Sequence, residues 1–226
     1  MKKTIFKELG LMPYREAWAL QERLHEEVKA AKLQGVDTVN YLLFVEHPHV
    51  YTLGKSGDEA NMLISAIQLQ AKHAEFVKVN RGGDITYHGP GQLVVYPIID
   101  MANFGLGVKD YVDRLEEVVI RTIEEYGIKG ERLEGATGVW IEAHTPRARK
   151  ICAIGIRCSR FVTMHGFALN VNTDLNYFHY INPCGFRDKG VTSIAQELGR
   201  EISLQEVKER VKYHFVDLFG MELTDK

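Results

Sequence analysis

The chain has 226 residues, 45% of them hydrophobic and 26% charged, an ordinary globular composition that predicts one domain over residues 1–226 with room for a full core. A formal charge of -2 leaves no electrostatic footprint for nucleic acid or an anionic membrane, and no apolar run approaches the ~20 residues needed to span a bilayer. The cysteines, Cys152, Cys158 and Cys184, are odd in number, and the chain opens without a signal-peptide pattern, so reduced thiols and a cytoplasmic location are expected.

Along the chain, Tyr14, Ala17, Trp18, Leu24, Val28 and Ala31 recur at helical spacing between Pro13 and Gly35, which predicts a helix over residues 13–34. Residues 38–46 read as a strand buried on both faces, 61–74 as a helix, and 75–80 and 92–99 as further strands. Val108, Val112, Leu115, Val119 and Ile123 mark a second long amphipathic helix over 108–126. Three strands follow at 138–143, 151–157 and 162–171, and their short connections favour antiparallel pairing. Ser203, with Glu206 three residues on, opens a last helix over 203–219. This order argues for an α/β or α+β fold with a mixed sheet and flanking helices.

Between two of those strands, residues 81–91 read Arg81, Gly82, Gly83, Asp84, Ile85, Thr86, Tyr87, His88, Gly89, Pro90 and Gly91. A glycine-rich loop of this length is expected to bind a ligand, because backbone without side chains approaches closely and its N–H groups can hold a carbonyl or oxyanion. Gly91 leads into a strand, whereas a dinucleotide fingerprint opens a helix, and no phosphate-loop motif occurs, so ATP and NAD are not indicated. No paired-thiol spacing suggests a metal, and His47 and His49, split by Pro48, read as polar punctuation.

Asn182, Pro183, Cys184 and Gly185 place a thiol in a turn, where a nucleophile can sit if a base or cation keeps it a thiolate. His88, His165 and His179 are candidate activators, and so is Lys150, which stands at the entrance to an apolar strand where desolvation lowers an amine's pKa. Arg147 and Arg149 beside it read as a solvated basic turn. Spacing does not choose among these partners.

Taken together, the segments RGGDITYHGPGQ from Arg81, KICAIG from Lys150, HGFALNVN from His165 and INPCG from Ile181 resemble the lipoyl(octanoyl) transferase family, and EHPHVYTLG from Glu46 fits as well. The resemblance implies a biotin and lipoate protein ligase catalytic core around an acyl tunnel. It implies transfer of an octanoyl group from octanoyl-acyl carrier protein to a lysine of the lipoyl domains of 2-oxoacid dehydrogenase E2 subunits or of the glycine cleavage H protein, with no cofactor. Cys184 would carry the acyl thioester and Lys150 would lower its pKa and move protons, displacing the histidines. Arg81 through His88, Ala153-Ile154-Gly155 and Gly166-Phe167-Ala168 would form the acyl pocket. His49 stands where the family would have a second proline, and Asp84 where glutamine is also familiar.

Overall fold

The computed structural model describes residues 2–182 and 189–225. A large mixed sheet runs through it. In chain order, strand β1 is Lys2–Leu11, helix α1 Tyr14–Leu33, β2 Asn40–Glu46, β3 Val50–Leu53, α2 Ala66–Ala71, β4 Glu75–Lys78, β5 Ile85–His88, β6 Gln92–Ile98 and α3 Val108–Glu124. Then come β7 Gly138–Ile141, β8 Arg149–Ser159, β9 Val162–Asn170, β10 Gly190–Val191, α4 Ile194–Leu198, α5 Leu204–Phe219 and β11 Met221–Thr224. The large sheet has the order β10, β8, β9, β6, β2, β1, β11, with β7 paired to β8, and β4, β3 and β5 make a separate sheet.

As the sequence pattern required, β7, β8 and β9 pair antiparallel. Alternation along the central strands then sorts the side chains to two faces. Leu93 and Val95 of β6, with Phe167 and Leu169 of β9, pack with α3 and α5 residues such as Leu115, Val119, Val211 and Phe215. Val94 and Tyr96, with Ala168, pack on the other side with Ala17, Leu24 and Val28 of α1. The helices therefore cover both faces, and the second sheet sits on the α1 side, where Tyr14 packs with Val50 and Val77.

Three expectations change. The helix expected over 61–74 shrinks to Ala66–Ala71, because Ser65 and Gln68 form a reciprocal capping box that fixes its start. The 81–91 segment is not all loop: Ile85–His88 is a strand that pairs antiparallel with β3. Strands β1 and β11 were not foreseen. They pair in parallel at the far edge, and β1 buries only Thr4 fully, so it carries no apolar alternation to read.

Candidate active site

On the α1 side of the large sheet lies a cavity of about 460 Å³, within the usual range of small-ligand pockets, roughly 300–1,000 Å³. Its floor is built of small side chains. Ala153 and Gly155 of β8 stand opposite Ala168 and Gly166 of β9, and Val94 of β6 lies beside Ala168. The 81–86 segment forms the roof.

Arg81 organises that roof. It is buried, its Nη2 donates to the Thr52 carbonyl at 2.7 Å and to Thr52 Oγ1 at 2.8 Å, and its Nη1 donates to the Gly82 carbonyl at 3.0 Å. Backbone approaches explain the glycines. Gly82 N–H donates to the Ile156 carbonyl at 2.9 Å, so it is spent on the protein instead of being offered to a ligand. A Cβ on Gly155 would come within 3.0 Å of the Gly82 carbonyl oxygen, and one on Gly166 within 2.1 Å of the Val95 carbonyl oxygen. These positions are small because main chain packs on main chain there; width for a ligand is a by-product. Asp84 turns inward on its own loop, accepting from Ile85 N–H and from Asn61 Nδ2, both at 2.7 Å.

A directional chain of buried polar groups backs the cavity. His88 Nδ1 faces Gln92 Oε1 at 2.8 Å, while the Gln92 amide nitrogen donates to Asn170 Oδ1 at 2.9 Å and to the Tyr87 carbonyl at 3.1 Å. With the amide oriented that way, His88 carries its proton on Nδ1. Asn170 Nδ2 donates to the Thr192 carbonyl at 3.0 Å, and Thr192 N–H donates to the Lys150 carbonyl at 3.0 Å. The roof and the strand of Lys150 are thus tied together through the sheet.

Lys150 reaches the cavity through a bulge. Val139 pairs with Cys152 and Trp140 with Lys150, leaving Ile151 as an extra residue in β8. Both Ile151 and Cys152 pack into the α3 and α5 core, and Lys150 lines the cavity with Ala153. Its Nζ donates to the Thr137 carbonyl at 3.2 Å and lies 4.6 Å from the centre of the Trp140 ring. Gly138 lets the two strands approach beside it: a Cβ there would lie 2.5 Å from the Cys152 carbonyl oxygen, while Lys150 Cε would be in ordinary contact at 3.4 Å. Glu116 of α3 fixes that wall, accepting from Gly138 N–H at 3.0 Å and from Arg132 Nε at 3.0 Å.

The cavity thus gathers Arg81 to Thr86 and His88, together with Lys150, Ala153 to Gly155 and Gly166 to Ala168. It does not include Tyr87, whose ring turns to the opposite side of β5, stacks 4.9 Å from Tyr177 and shares a 2.7 Å hydrogen bond with His49 Nδ1. Cys184 falls outside the described residues. Gly190 and Val191, which follow it in sequence, line the cavity, and Val191 pairs in register with Lys150.

Of the histidines, His165 lines the cavity, held neutral by burial and the Arg81 charge with its pKa down to about 3, and burial drives His88 well below the usual range. His179 is exposed on the 3₁₀ turn over Leu175–Tyr180. His47 is no punctuation: it is fully buried, donates from Nδ1 to the Met12 carbonyl and accepts at Nε2 from the Tyr96 hydroxyl, both at 2.8 Å. Arg149 is no free surface charge either, since its Nε and Nη2 grip the two carboxylate oxygens of Glu197 at 2.7 and 2.6 Å. Cys152 is fully buried, and desolvation raises its thiol pKa far out of the nucleophilic range. Tyr14, Tyr96, Thr137, Gly138 and Trp140 join the site without a motif in the sequence that points to them. Only the TGVW run before a strand, with a glycine where a β-former is usual, hints at the close approach to β8.

Among the described residues, no group of His, Cys, Asp or Glu is arranged to hold a metal ion, and no helix is long and apolar enough to cross a membrane.

Residues 13–216 match the family model of the lipoyl protein ligase A/B catalytic domain. The chain is 56% identical to the octanoyltransferase of Christiangramia forsetii over 98% of both chains. It is 59% identical to that of Bacteroides fragilis strain YCH46, over 92% of this chain and 95% of the relative. In three dimensions it resembles the bipartite lipoate protein ligase of Thermoplasma acidophilum, solved in a study of that ligase and its E2 lipoyl domain. The TM-score is 0.72 at 15% identity, covering 100% of this chain and 87% of the other, and that likeness shows the shared catalytic-core fold.

Proposed function

The chain belongs to the lipoyl protein ligase A/B catalytic domain family and is an acyltransferase, and from that premise we propose that it carries an octanoyl group from octanoyl-acyl carrier protein to a lysine of lipoyl domains. The acceptors are the lipoyl domains of 2-oxoacid dehydrogenase E2 subunits and the glycine cleavage H protein, met in the cytoplasm. Near-full-length likeness to octanoyltransferases supports the reaction. One observation carries the mechanism: Lys150 stands at one side of a cavity floored by small side chains, in the strand that pairs with the segment following Cys184.

In this reading Lys150 as ammonium holds Cys184 as thiolate. The thiolate attacks the carrier-protein thioester, a new C–S bond forms, and the carrier thiol leaves with the Lys150 proton. The acceptor lysine, as a free amine, then attacks the enzyme thioester and gives its proton to the Lys150 amine, and the Cys184 thiolate departs, which restores the ion pair. Exchange of one thioester for another is nearly isoenergetic and amide formation is downhill, so no nucleotide enters the cycle.

Intact-protein mass spectrometry tests this directly. Mixing the enzyme with octanoyl-carrier protein, without ATP, yields an adduct of one octanoyl group that Cys184→Ala does not form. An unmodified wild-type enzyme under these conditions defeats the acyl-enzyme reading. Transfer that requires ATP points to a ligase of the same fold.

A further inference from the structure

We infer that Tyr96, braced from behind by His47, is the stop that sets the length of acyl chain the cavity accepts. The inference rests on the octanoyl-transfer reading and adds the residue that makes the transfer selective. The cavity crosses the sheet from strand to strand. Lys150 and Thr137 stand at the β7 and β8 side, Ala153 and Ala168 give the floor, and Val94 and Tyr96 of β6 stand at the far side. From β8, which carries Lys150, across β9 to β6 is two interstrand steps, ~10 Å. An extended octanoyl group, built of carbon–carbon bonds ~1.5 Å long, spans about 10 Å. A chain tethered beside the Lys150 amine therefore ends against Val94 and Tyr96.

The ring of Tyr96 is 3% exposed, and its hydroxyl donates to His47 Nε2 at 2.8 Å. His47 is not part of the cavity wall; it lies behind it, anchored in turn on the Met12 carbonyl. Burial keeps this imidazole neutral, so it stays an acceptor. Tyr14, stacked 5.8 Å from His88 and edge-on 5.2 Å from His47, closes the flank. Swinging Tyr96 aside would break a buried hydrogen bond, so the stop is stiff. Beyond it lie Leu24, Ile98 and Met164, packed with Tyr96 under α1. The volume that Tyr96 occupies thus adjoins apolar core, and a smaller apolar residue there would lengthen the cavity while leaving His47 Nε2 without its donor.

The test sets hexanoyl, octanoyl, decanoyl and dodecanoyl carrier-protein thioesters in competition for one lipoyl-domain acceptor, with the wild type, Tyr96→Leu and Tyr96→Phe. The wild type is expected to favour octanoyl. In Tyr96→Leu the decanoyl-to-octanoyl ratio should rise about tenfold, the scale on which hydrophobic pockets discriminate methylenes. A folded Tyr96→Leu enzyme with the wild-type ratio overturns the stop. Tyr96→Phe keeps the ring and drops the hydroxyl that bonds His47, so it decides the question should the leucine variant not fold. A ratio raised about threefold supports the braced stop, and a wild-type ratio overturns it. Failure of the wild type to transfer octanoyl would overturn the functional reading itself, an outcome that differs from an unmoved ratio in an active enzyme.

Discussion

Lys150 and Ala153 line one cavity although an odd number of steps separates them along β8, which in a regular strand would put them on opposite faces. The extra residue, Ile151, restores the phase by packing into the same core as Cys152. An amine at the edge of a buried strand is thereby turned from the core to the cavity, held by the Thr137 carbonyl and the Trp140 ring.

Substitution of Lys150 separates two duties. Lys150→Ala should fold with wild-type stability, because the side chain is only partly buried, and lose transfer by at least about a hundredfold, the lower range for general acid–base catalysis. Lys150→Arg keeps the positive charge but does not release its proton near neutral pH. It should form the octanoyl-enzyme more slowly, because the carrier sulfur must leave as thiolate without a proton from residue 150, and then stall with no base for the acceptor amine, so the adduct accumulates in mass spectra while amide product does not. Near-normal turnover of either variant removes Lys150 from the mechanism.

Gly138 packs against β8, the strand of Lys150, too closely for a side chain. Its φ of 128° is strained for any other residue, and a Cβ would overlap the Cys152 carbonyl of β8 while meeting the Lys150 stem at ordinary contact distance. Gly138→Ala should cost about 2–3 kcal/mol in chemical denaturation, strain and overlap together, and should depress transfer as Lys150 shifts. Gly127→Ala is the control, with φ 76° and open space around it, and should cost only about 1–2 kcal/mol. Equal losses of stability and activity in the two variants would rule out the proposed contact.

How far the sequence discloses this site depends on whether a feature is local. Helices α1, α3 and α5 show their apolar stripes, and the antiparallel run of β7, β8 and β9 follows from short turns between β-rich segments. The RGG segment is visible as too many glycines for a turn. The bulge at Ile151 is not, because Lys150, Ile151 and Cys152 read the same whether the ladder is regular or shifted; pairing with β7 decides it. In the sequence Tyr96 is one more residue of an apolar strand and His47 is polar punctuation, because the partners that define them are distant in the chain. The neighbours of Tyr87 suggest a place in the pocket, but strand alternation turns it the other way from Thr86 and His88.

Stability should fall in mild acid. Burial holds His47 down to about 4, burial and the Arg81 charge hold His165 down to about 3, and burial holds His88 well below its ordinary value. An unfolded histidine titrates near ~6.5. Between that pH and the native values the unfolded chain binds more protons, so the stabilisation is complete above ~6.5 and is lost as pH falls, by up to about 1.4 kcal/mol per pH unit for each such histidine. Denaturation midpoints should be flat from pH 8 to 7 and drop steeply from 6.5 to 5, before most carboxylates titrate. His47→Gln, which can still accept from Tyr96 and donate to Met12, should make that drop shallower. A midpoint constant down to pH 5 would contradict the buried, neutral imidazoles.

Glu116 is a positioning residue for the same wall. It touches neither cavity nor Lys150 directly, yet its carboxylate joins Gly138 N–H to Arg132 and so holds the segment whose Thr137 carbonyl receives the Lys150 ammonium. Glu116→Ala leaves a buried N–H without its acceptor and should cost about 1–3 kcal/mol. A purely structural role would end there. If the wall sets the position of Lys150, kcat should fall while KM for the carrier-protein thioester stays near the wild-type value, and Glu116→Gln, which retains an acceptor for Gly138, should recover most of kcat. Wild-type kcat in a folded Glu116→Ala enzyme would show that Lys150 keeps its place without this carboxylate.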